Sequence, residues 1–186
     1  MATKHTRILA VDQARSGGWS VYDYDKKKLL DCGDFTVGAK HDFEEFIYMI
    51  TTILDPIIKK YKVDYVFFED TQYQTNVNTF KKLCWLQGAL ICWLREHNVP
   101  YGIVHPRTWQ SYCNARGRNT KEKKDKITAS KSLRETGKRL TIEFVAEQFG
   151  IQTDNDNLAD AVCIGFYVVN CIEIKKGNEY GEEKGI

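Results

Sequence analysis

Short apolar runs alternate with helical patterns along this chain. Residues 7–13 form an apolar run that predicts a buried strand, and WSVYDYD and KLLDCGDFTV predict two more. These three strands would form an antiparallel meander with turns at Ser16–Gly18 and Asp25–Lys27. The segment DYVFFED is apolar almost throughout, which predicts a central strand covered on both faces, and residues 101–105 predict a fifth strand.

Helical periodicity separates and follows these strands. Asp42, with Glu45 three residues later, resembles a capping box that opens a helix over FEEFIYMITTILDPIIKKY, in which Pro56 predicts a kink or a new start. Further helices are predicted in NTFKKLCWLQGALICWLREHN, in PRTWQSYC, in LTIEFVAEQFG up to Gly150, and from about Asp156 onward. Strands followed by helix–strand alternation predict an α/β fold in which a mixed sheet lies between helices.

Length and composition predict one globular domain. The 186 residues fit a single domain over residues 1–174, and the polar residues 175–186 are expected to form a flexible tail. The net charge of +2 says little about partners. None of the six cysteines has the spacing of a zinc site, and no segment resembles a signal peptide or a membrane span. A cytoplasmic protein with reduced thiols is therefore expected.

Four carboxylates stand where they could carry chemistry. Asp12 ends the first apolar run, where an aspartate is often a turn former, and residues 154–157 would commonly be helix caps. Glu69 ends YVFFE, where a buried, unpaired carboxylate would be costly. Asp160 lies inside an apolar helix that needs no cap, and it shares a helical face with Asp156. Oxygens from these four positions can converge on Mg²⁺, a hard cation.

In their order and context, these segments resemble the RuvC family of Holliday junction resolvases in the RNase H-like superfamily. The resemblance extends from about Arg7 to Val169 and rests on ILAVDQARSGGWSV, VFFEDTQYQTNVNTFKKLCWLQGAL, YGIVHPRTWQ, a lysine-rich segment and DNDNLADAV. It implies an RNase H-like mixed five-stranded sheet flanked by helices. Phage and poxvirus resolvases of this kind diverge widely, which suggests a phage-encoded member acting in the host cytoplasm.

The resemblance also implies an activity and its metal ligands. The enzyme would resolve four-way DNA junctions by paired phosphodiester hydrolysis, using two Mg²⁺ ions, with Mn²⁺ as the alternative. Such ions lie roughly 3.5–4 Å apart, activate water and stabilise the leaving 3′-oxygen. Asp12 would bridge both ions, Glu69 would bind one, and Asp160 matches the last aspartate of the family's C-terminal helix.

The fourth ligand departs from the family pattern. Three residues before its last aspartate the family carries Asp or His, whereas this chain has Asn157. A neutral amide oxygen is a poorer Mg²⁺ ligand than a carboxylate. We therefore favour Asp156 as the fourth catalytic ligand, keep Asn157 as the alternative, and rank Asp154 third.

Basic residues and one tyrosine are the candidate DNA contacts. From residue 106 to 139 there are eleven basic and three acidic residues, and such a cluster can neutralise phosphates without reading sequence. The alternative is a solvated helix face. Tyr73 follows the Glu69 strand where, in the resembled family, an aromatic residue stacks on bases, although it could also pack at a loop edge. The predicted basic contacts are Arg116, Arg118, Lys121, Lys123 and Lys124.

The helix predicted over residues 78–98 is the candidate dimer interface. Apolar residues cover more than one of its stripes, and Gly88 and Ala89 permit close approach. Core packing explains part of this pattern. The corresponding family helix forms a two-fold dimer, which implies a homodimer with two active sites for paired cuts.

Three other functions remain to be compared with a junction resolvase. A related nuclease could act on other branched DNA or on RNA. A nucleic-acid-binding module could keep the fold and lose catalysis, as the asparagine at position 157 would allow. An actin-like sugar kinase or ATPase shares the opening strand pattern, but it needs further glycine-rich phosphate loops and a second domain, for which the chain is too short.

Overall fold

A mixed five-stranded sheet forms the centre of the computed structural model, as the sequence predicted. The structure describes residues 5–38, 41–73, 76–116 and 130–174, and it gives side chains from residue 135 onward in the last range. The strands are β1 (Arg7–Asp12), β2 (Ser16–Asp23), β3 (Lys28–Thr36), β4 (Tyr65–Glu69) and β5 (Tyr101–Val104). The helices are α1 (Phe43–Tyr61), α2 (Val77–Glu96), α3 (Pro106–Tyr112), α4 (Ser130–Phe149) and α5 (Asp156–Cys171).

The strand order places the ends of β1 and β4 side by side. The sheet runs β3-β2-β1-β4-β5. The first three strands form the predicted antiparallel meander, while β1 pairs with β4, and β4 with β5, in parallel. Because parallel neighbours end at the same edge of a sheet, residues at the C-terminal ends of β1, β4 and β5 share one edge.

Alternating residues of β1 supply two hydrophobic cores, one on each face of the sheet. Ile8 and Ala10 pack with residues of α3, α4 and α5, whereas Leu9 and Val11 pack with residues of α1 and α2. All four side chains are fully buried. Burying an aliphatic side chain of this kind stabilises a fold by roughly 1.5–3 kcal/mol, so both helical layers hold β1 at the centre.

The helix ends show which capping predictions were right. Asp42 caps α1, where its side chain accepts a hydrogen bond from the Glu45 amide, as predicted. The helix continues through Pro56 instead of restarting there. Gly150 ends α4 with a φ of 69°, a conformation that favours glycine. Asn155 caps α5 by accepting hydrogen bonds from two backbone amides of its first turn.

The predicted turn at Ser16–Gly18 is wrong, because these residues begin β2. The two glycines serve close packing rather than a turn. A Cβ on Gly17 would lie 2.4 Å from the Asp12 carbonyl oxygen, and one on Gly18 would lie 2.1 Å from the Asn157 carbonyl oxygen. The glycine pair therefore lets the start of α5 approach the end of β1.

Two stretches for which the sequence made predictions lie outside the residues that the structure describes. The proposed tail at 175–186 and the densest basic stretch, within 117–129, fall outside the described residues. Among the helices that the structure does describe, none combines the length and apolar character needed to cross a membrane.

Candidate metal-dependent active site

Two of the predicted carboxylates meet at one edge of the sheet. Asp12 is the last residue of β1 and Glu69 is the last residue of β4. The parallel register pairs Val11 of β1 with Phe68 of β4. Asp12 and Glu69 are the next residues on these two adjacent strands, so they lie side by side at the same edge of the sheet. Apolar strands carry both backbones to this edge, and each strand places a charged group where its buried run ends.

Helix α5 brings the other two carboxylates to the same edge. The helix crosses β2, where the Ser20 hydroxyl donates to the Ala161 carbonyl at 2.6 Å and the Tyr22 hydroxyl donates to the Val162 carbonyl at 2.8 Å. These buried hydrogen bonds fix the helix against the hairpin. Asp160 precedes the two anchored carbonyls, and Asp156 lies one turn before it.

The carboxylates raise one another's pKa values. Burial raises the pKa of Asp12 to about 8, and the negative charges of Glu69 and Asp156 add to the effect. Burial also raises the pKa of Glu69 to about 7, with Asp160 as the next cause. The pKa of Asp160 lies well above its ordinary value because of burial, followed by the charges of Asp12 and Asp156. The four predicted residues therefore form one electrostatic group with a deficit of positive charge.

The group is wider than a single-ion site. Among the described residues, only His5, Asp23 and Asp25 have three ligand atoms all within 4.8 Å of one another, and no three of the four predicted carboxylates do. Like charges without a cation between them repel.

Glu69 is held at both its side chain and its backbone. The indole N–H of Trp109 in α3 donates to Glu69 Oε1 at 2.8 Å. The side-chain amides of Gln13 and Gln87 both donate to the Glu69 carbonyl oxygen, at 2.6 and 3.0 Å. Trp109, Gln13 and Gln87 are all buried. The end of β4 is thus fixed by the loop after β1, by α2 and by α3.

A lysine from α4 reaches the rim of the group. Lys138 forms an ion pair with Asp156, and its positive charge opposes the rise in the pKa of both Asp12 and Asp160. The side chains of Lys138 and Asp156 are 40% and 25% exposed. The pair therefore lies on the solvent side of the group, and Asp156 is its one member with a full counter-charge among the described contacts.

The fourth-ligand candidates differ in what surrounds them. The negative charge of Asp156 acts on Asp12 and Asp160, so this carboxylate belongs to the group. At Asn157 the backbone amide is held by the Asn155 side chain, and the carbonyl packs on Gly18. The electrostatics thus agree with the preference for Asp156, and ligand identity stays a prediction.

The predicted DNA contacts are described only in part. Tyr73 is 70% exposed in the loop after β4, with its ring 5.5 Å from that of Phe80 in an edge-to-face arrangement. Arg116 is exposed after α3. The remaining predicted contacts lie outside the described residues: Arg118, Lys121, Lys123 and Lys124.

Sequence reasoning missed five residues whose polar groups contact the predicted ligands, namely Gln13, Gln87, Trp109, Lys138 and Thr141. Gln87 lies in the helix that was assigned to core packing and a dimer interface, and Trp109 lies in a short helix that was given no role. Lys138 was counted only as part of the basic segment, because the predicted helix began two residues after it, whereas α4 begins at Ser130. A buried glutamine within an apolar helix was the available signal, since a buried amide needs partners.

Known proteins with similar sequences are resolvases. No family model matches the chain. A crossover junction endodeoxyribonuclease RuvC from Rickettsia typhi is 26% identical over 118 residues, which cover 62% of this chain and 75% of that protein. A protein of the same name from Fusobacterium nucleatum is 26% identical over 96 residues, half of each chain. These relatives are bacterial, so a phage origin stays a prediction.

Solved structures share the fold. RuvC from Thermus thermophilus, solved in complex with a Holliday junction substrate, superposes with a TM-score of 0.63 over 88% of this chain and 95% of its own, at 16% identity. The yeast mitochondrial Holliday junction resolvase superposes with a TM-score of 0.55 over 89% of this chain and 78% of its own, at 11% identity. The chain is therefore similar to RuvC proteins in sequence and shares the fold of these solved resolvases, as the resemblance implied.

Proposed function

We propose that the protein is a metal-dependent endonuclease that resolves four-way DNA junctions by paired phosphodiester hydrolysis. One observation carries the proposal: Asp12, Glu69 and Asp160, from three separate segments, form one group whose pKa values are raised by burial and then by the neighbouring carboxylates. The sequence similarity to crossover junction endodeoxyribonucleases supports DNA as the substrate of this group. A protein that acts on cellular DNA would work in the cytoplasm, or in the host cytoplasm if phage-encoded.

The residues present fit divalent cations. The group offers carboxylate oxygens, which are the ligands that Mg²⁺ and Mn²⁺ prefer. Its deficit of positive charge would be relieved by cations, which lowers the pKa values of the ligands. Asp12, Glu69 and Asp160 would hold the ions, with Asp156 as the fourth ligand in preference to Asn157. Bound ions would supply an activated water and stabilise charge on the leaving 3′-oxygen.

The other residues near the group orient the ligands and the substrate. Trp109, Gln13 and Gln87 fix the position of Glu69. Lys138 pairs with Asp156 at the solvent side, where it can turn to a scissile phosphate when DNA occupies the edge. This exchange would release Asp156 for a cation as the phosphate binds.

Exposed aromatic and basic residues follow the elements that carry Glu69 and Trp109. Tyr73 extends from the loop that follows Glu69, and a base stacked on it would contribute about 1–3 kcal/mol. Arg116 would contact the phosphate backbone, together with the basic residues of the undescribed stretch. These contacts recognise shape and charge rather than sequence, which suits a structure-selective nuclease.

A homodimer through α2 would supply the second cut. Trp85 and Val77 on this helix are 58% and 45% exposed, and a Cβ at Gly88 would meet nothing within 4 Å. Glycine in a helix interior costs roughly 0.5–1 kcal/mol relative to alanine, and no contact in the described part of the chain requires it here. Close approach of a second α2 at Gly88 would explain its presence, and it would place two sites on one junction.

Cleavage of defined DNA substrates tests the proposed function. Purified protein with Mg²⁺ is incubated with labelled four-way junction, Y-fork and linear duplex, beside the Asp12→Asn variant. The expected result is symmetric paired nicks in the junction alone, absent in the variant. Equal cutting of all three would indicate a general nuclease, and junction binding without cutting would indicate an inactive binding module.

A further inference from the structure

The contact between Trp109 and Glu69 joins an apolar ring to a charged group in the interior. The Trp109 ring is 1% exposed and packs in the core formed by α3, α4 and α5. Its single polar atom, Nε1, donates to Glu69 Oε1 at 2.8 Å. A buried indole N–H needs an acceptor, and here the acceptor is one of the carboxylates to which we assign a cation.

The chemistry of the donor distinguishes this contact from an ion pair. An indole N–H is neutral and does not titrate, so it can fix a carboxylate oxygen without cancelling its negative charge. A lysine or arginine at the same place would compete with the cation for that charge, as the Lys138 ion pair would at Asp156. The hydrogen bond uses one lone pair of Oε1, which leaves Oε2 available to a cation.

The surroundings of Glu69 leave this side chain little freedom. The side-chain amides of Gln13, which precedes β4 in the sequence, and of Gln87, which follows it, both donate to the Glu69 carbonyl oxygen. The backbone is therefore set independently of Trp109. What the indole adds is the orientation of the carboxylate itself, which the two backbone contacts do not determine.

We propose that Trp109 is a positioning residue that orients the Glu69 carboxylate for a divalent cation through its neutral indole N–H. The proposal rests on the function proposed above, because it takes Glu69 as a ligand. Outer contacts of this kind typically change metal affinity 10–100-fold, roughly, when they are removed. Trp109 does not contact the cation or the DNA in this role.

The Trp109→Phe variant removes the N–H and keeps most of the ring. Mn²⁺ affinity measured by calorimetry is expected to fall about 10-fold, while junction affinity measured in EDTA stays within about 2-fold of the wild type. Trp93→Phe is the matched control, because Trp93 packs on the opposite face of the sheet in α2. Unchanged Mn²⁺ affinity in a folded Trp109→Phe protein would overturn the proposal.

A second measurement needs no tryptophan variant. The chain has four tryptophans, so an ¹⁵N–¹H spectrum should contain four indole cross-peaks. One cross-peak is expected to move when Mg²⁺ is added, and the same one should be displaced in metal-free Glu69→Gln. If no indole cross-peak differs between metal-free wild type and Glu69→Gln, the proposal is wrong even if Trp109→Phe does not fold.

The wild-type controls separate this proposal from the proposed function. If the wild type binds Mn²⁺ no better than Asp12→Asn and does not cut the junction, the nuclease proposal is refuted. The positioning role of Trp109 is then refuted as well, because it depends on a metal ion at Glu69. If the wild type binds Mn²⁺ and cuts, while Trp109→Phe binds Mn²⁺ equally well, only the role of Trp109 is refuted.

Discussion

The hairpin of β1 and β2 carries acidic groups at both its ends, and the two groups differ in their charge balance. At the open end, Asp23 contacts Arg7 at 2.5 Å, with His5 and Asp25 close by. Burial alone would raise the pKa of Asp23, but the Lys26 amide and the Arg7 guanidinium hold that pKa below its ordinary value. This cluster is tight, and Arg7 compensates the charge of Asp23 within it.

The other end of the hairpin shows the opposite balance. Asp12, Glu69 and Asp160 are spread more widely, and burial together with mutual repulsion raises all three pKa values. We therefore expect uncompensated negative charge, rather than close spacing of ligand atoms, to mark the cation site, because a cation gains most where the protein supplies no counter-charge.

The largest expected difference between the two ends is in catalysis. Asp12→Asn should lower the rate of junction cleavage about 1,000-fold, because loss of a ligand removes several kcal/mol of charge stabilisation and about 1.4 kcal/mol corresponds to tenfold. Asp23→Asn is the matched control and should stay within about 3-fold of the wild type. Single-turnover cleavage rates of the two variants measure this difference. An equal loss of rate in both variants would contradict a catalytic role confined to the Asp12 end.

The same two substitutions should change stability in opposite directions. In metal-free protein, Asp12→Asn relieves repulsion and should raise Tm, by roughly 2–4 °C for each kcal/mol gained. Asp23→Asn weakens the hydrogen bond to Arg7 and should cost about 1–3 kcal/mol. Thermal unfolding in EDTA tests both signs. A lower Tm in Asp12→Asn would show that its carboxylate is stabilised by partners rather than strained.

The raised pKa values predict a pH dependence of the metal-free protein. The folded pKa of Asp12 is about 8, above its ordinary value of 3.8, so the folded state holds the proton more tightly than the unfolded state. Stability from this group is present below about pH 4 and is lost as the pH rises towards 8. Unfolding at several pH values with and without Mg²⁺ should show this loss only without Mg²⁺. Asp12→Asn should flatten the metal-free profile.

A smaller effect is expected at Lys138. Replacing it with methionine removes the charge that competes for Asp156, so Mn²⁺ affinity should rise about 3-fold, on the order expected for a partly exposed ion pair. Cleavage should nevertheless fall if Lys138 turns to the phosphate. Calorimetry and cleavage rates measured on the same preparation separate the two effects, and weaker Mn²⁺ binding would contradict competition by the lysine.

The sequence predicted the C-terminal ends of β1 and β4 correctly and the contacts between elements poorly. The apolar runs before Asp12 and Glu69 determine β1 and β4 locally, and the spacing of Asp156 and Asp160 determines a shared helical face. Parallel pairing then brings these positions to one edge. Each step depends on short-range patterns that a single sequence contains.

The errors arise where distant segments meet. Gly17 and Gly18 have the local pattern of a turn but lie in β2, where close packing leaves no room for a Cβ: Gly17 meets the Asp12 carbonyl and Gly18 meets the Asn157 backbone. The partner of Trp109 is 40 residues away, and Lys138 meets Asp156 only because α4 packs on α5. No local pattern encodes such contacts, because the fold creates them.

A crystal structure with Mn²⁺ tests the claim about charge balance most directly, because anomalous scattering locates the ion among the two acidic groups. We expect Mn²⁺ at the edge formed by Asp12, Glu69 and Asp160, bound through their carboxylate oxygens, and no ion between His5, Asp23 and Asp25. Mn²⁺ bound at the His5 cluster alone, or a carboxylate edge that stays empty at saturating Mn²⁺, would contradict the account.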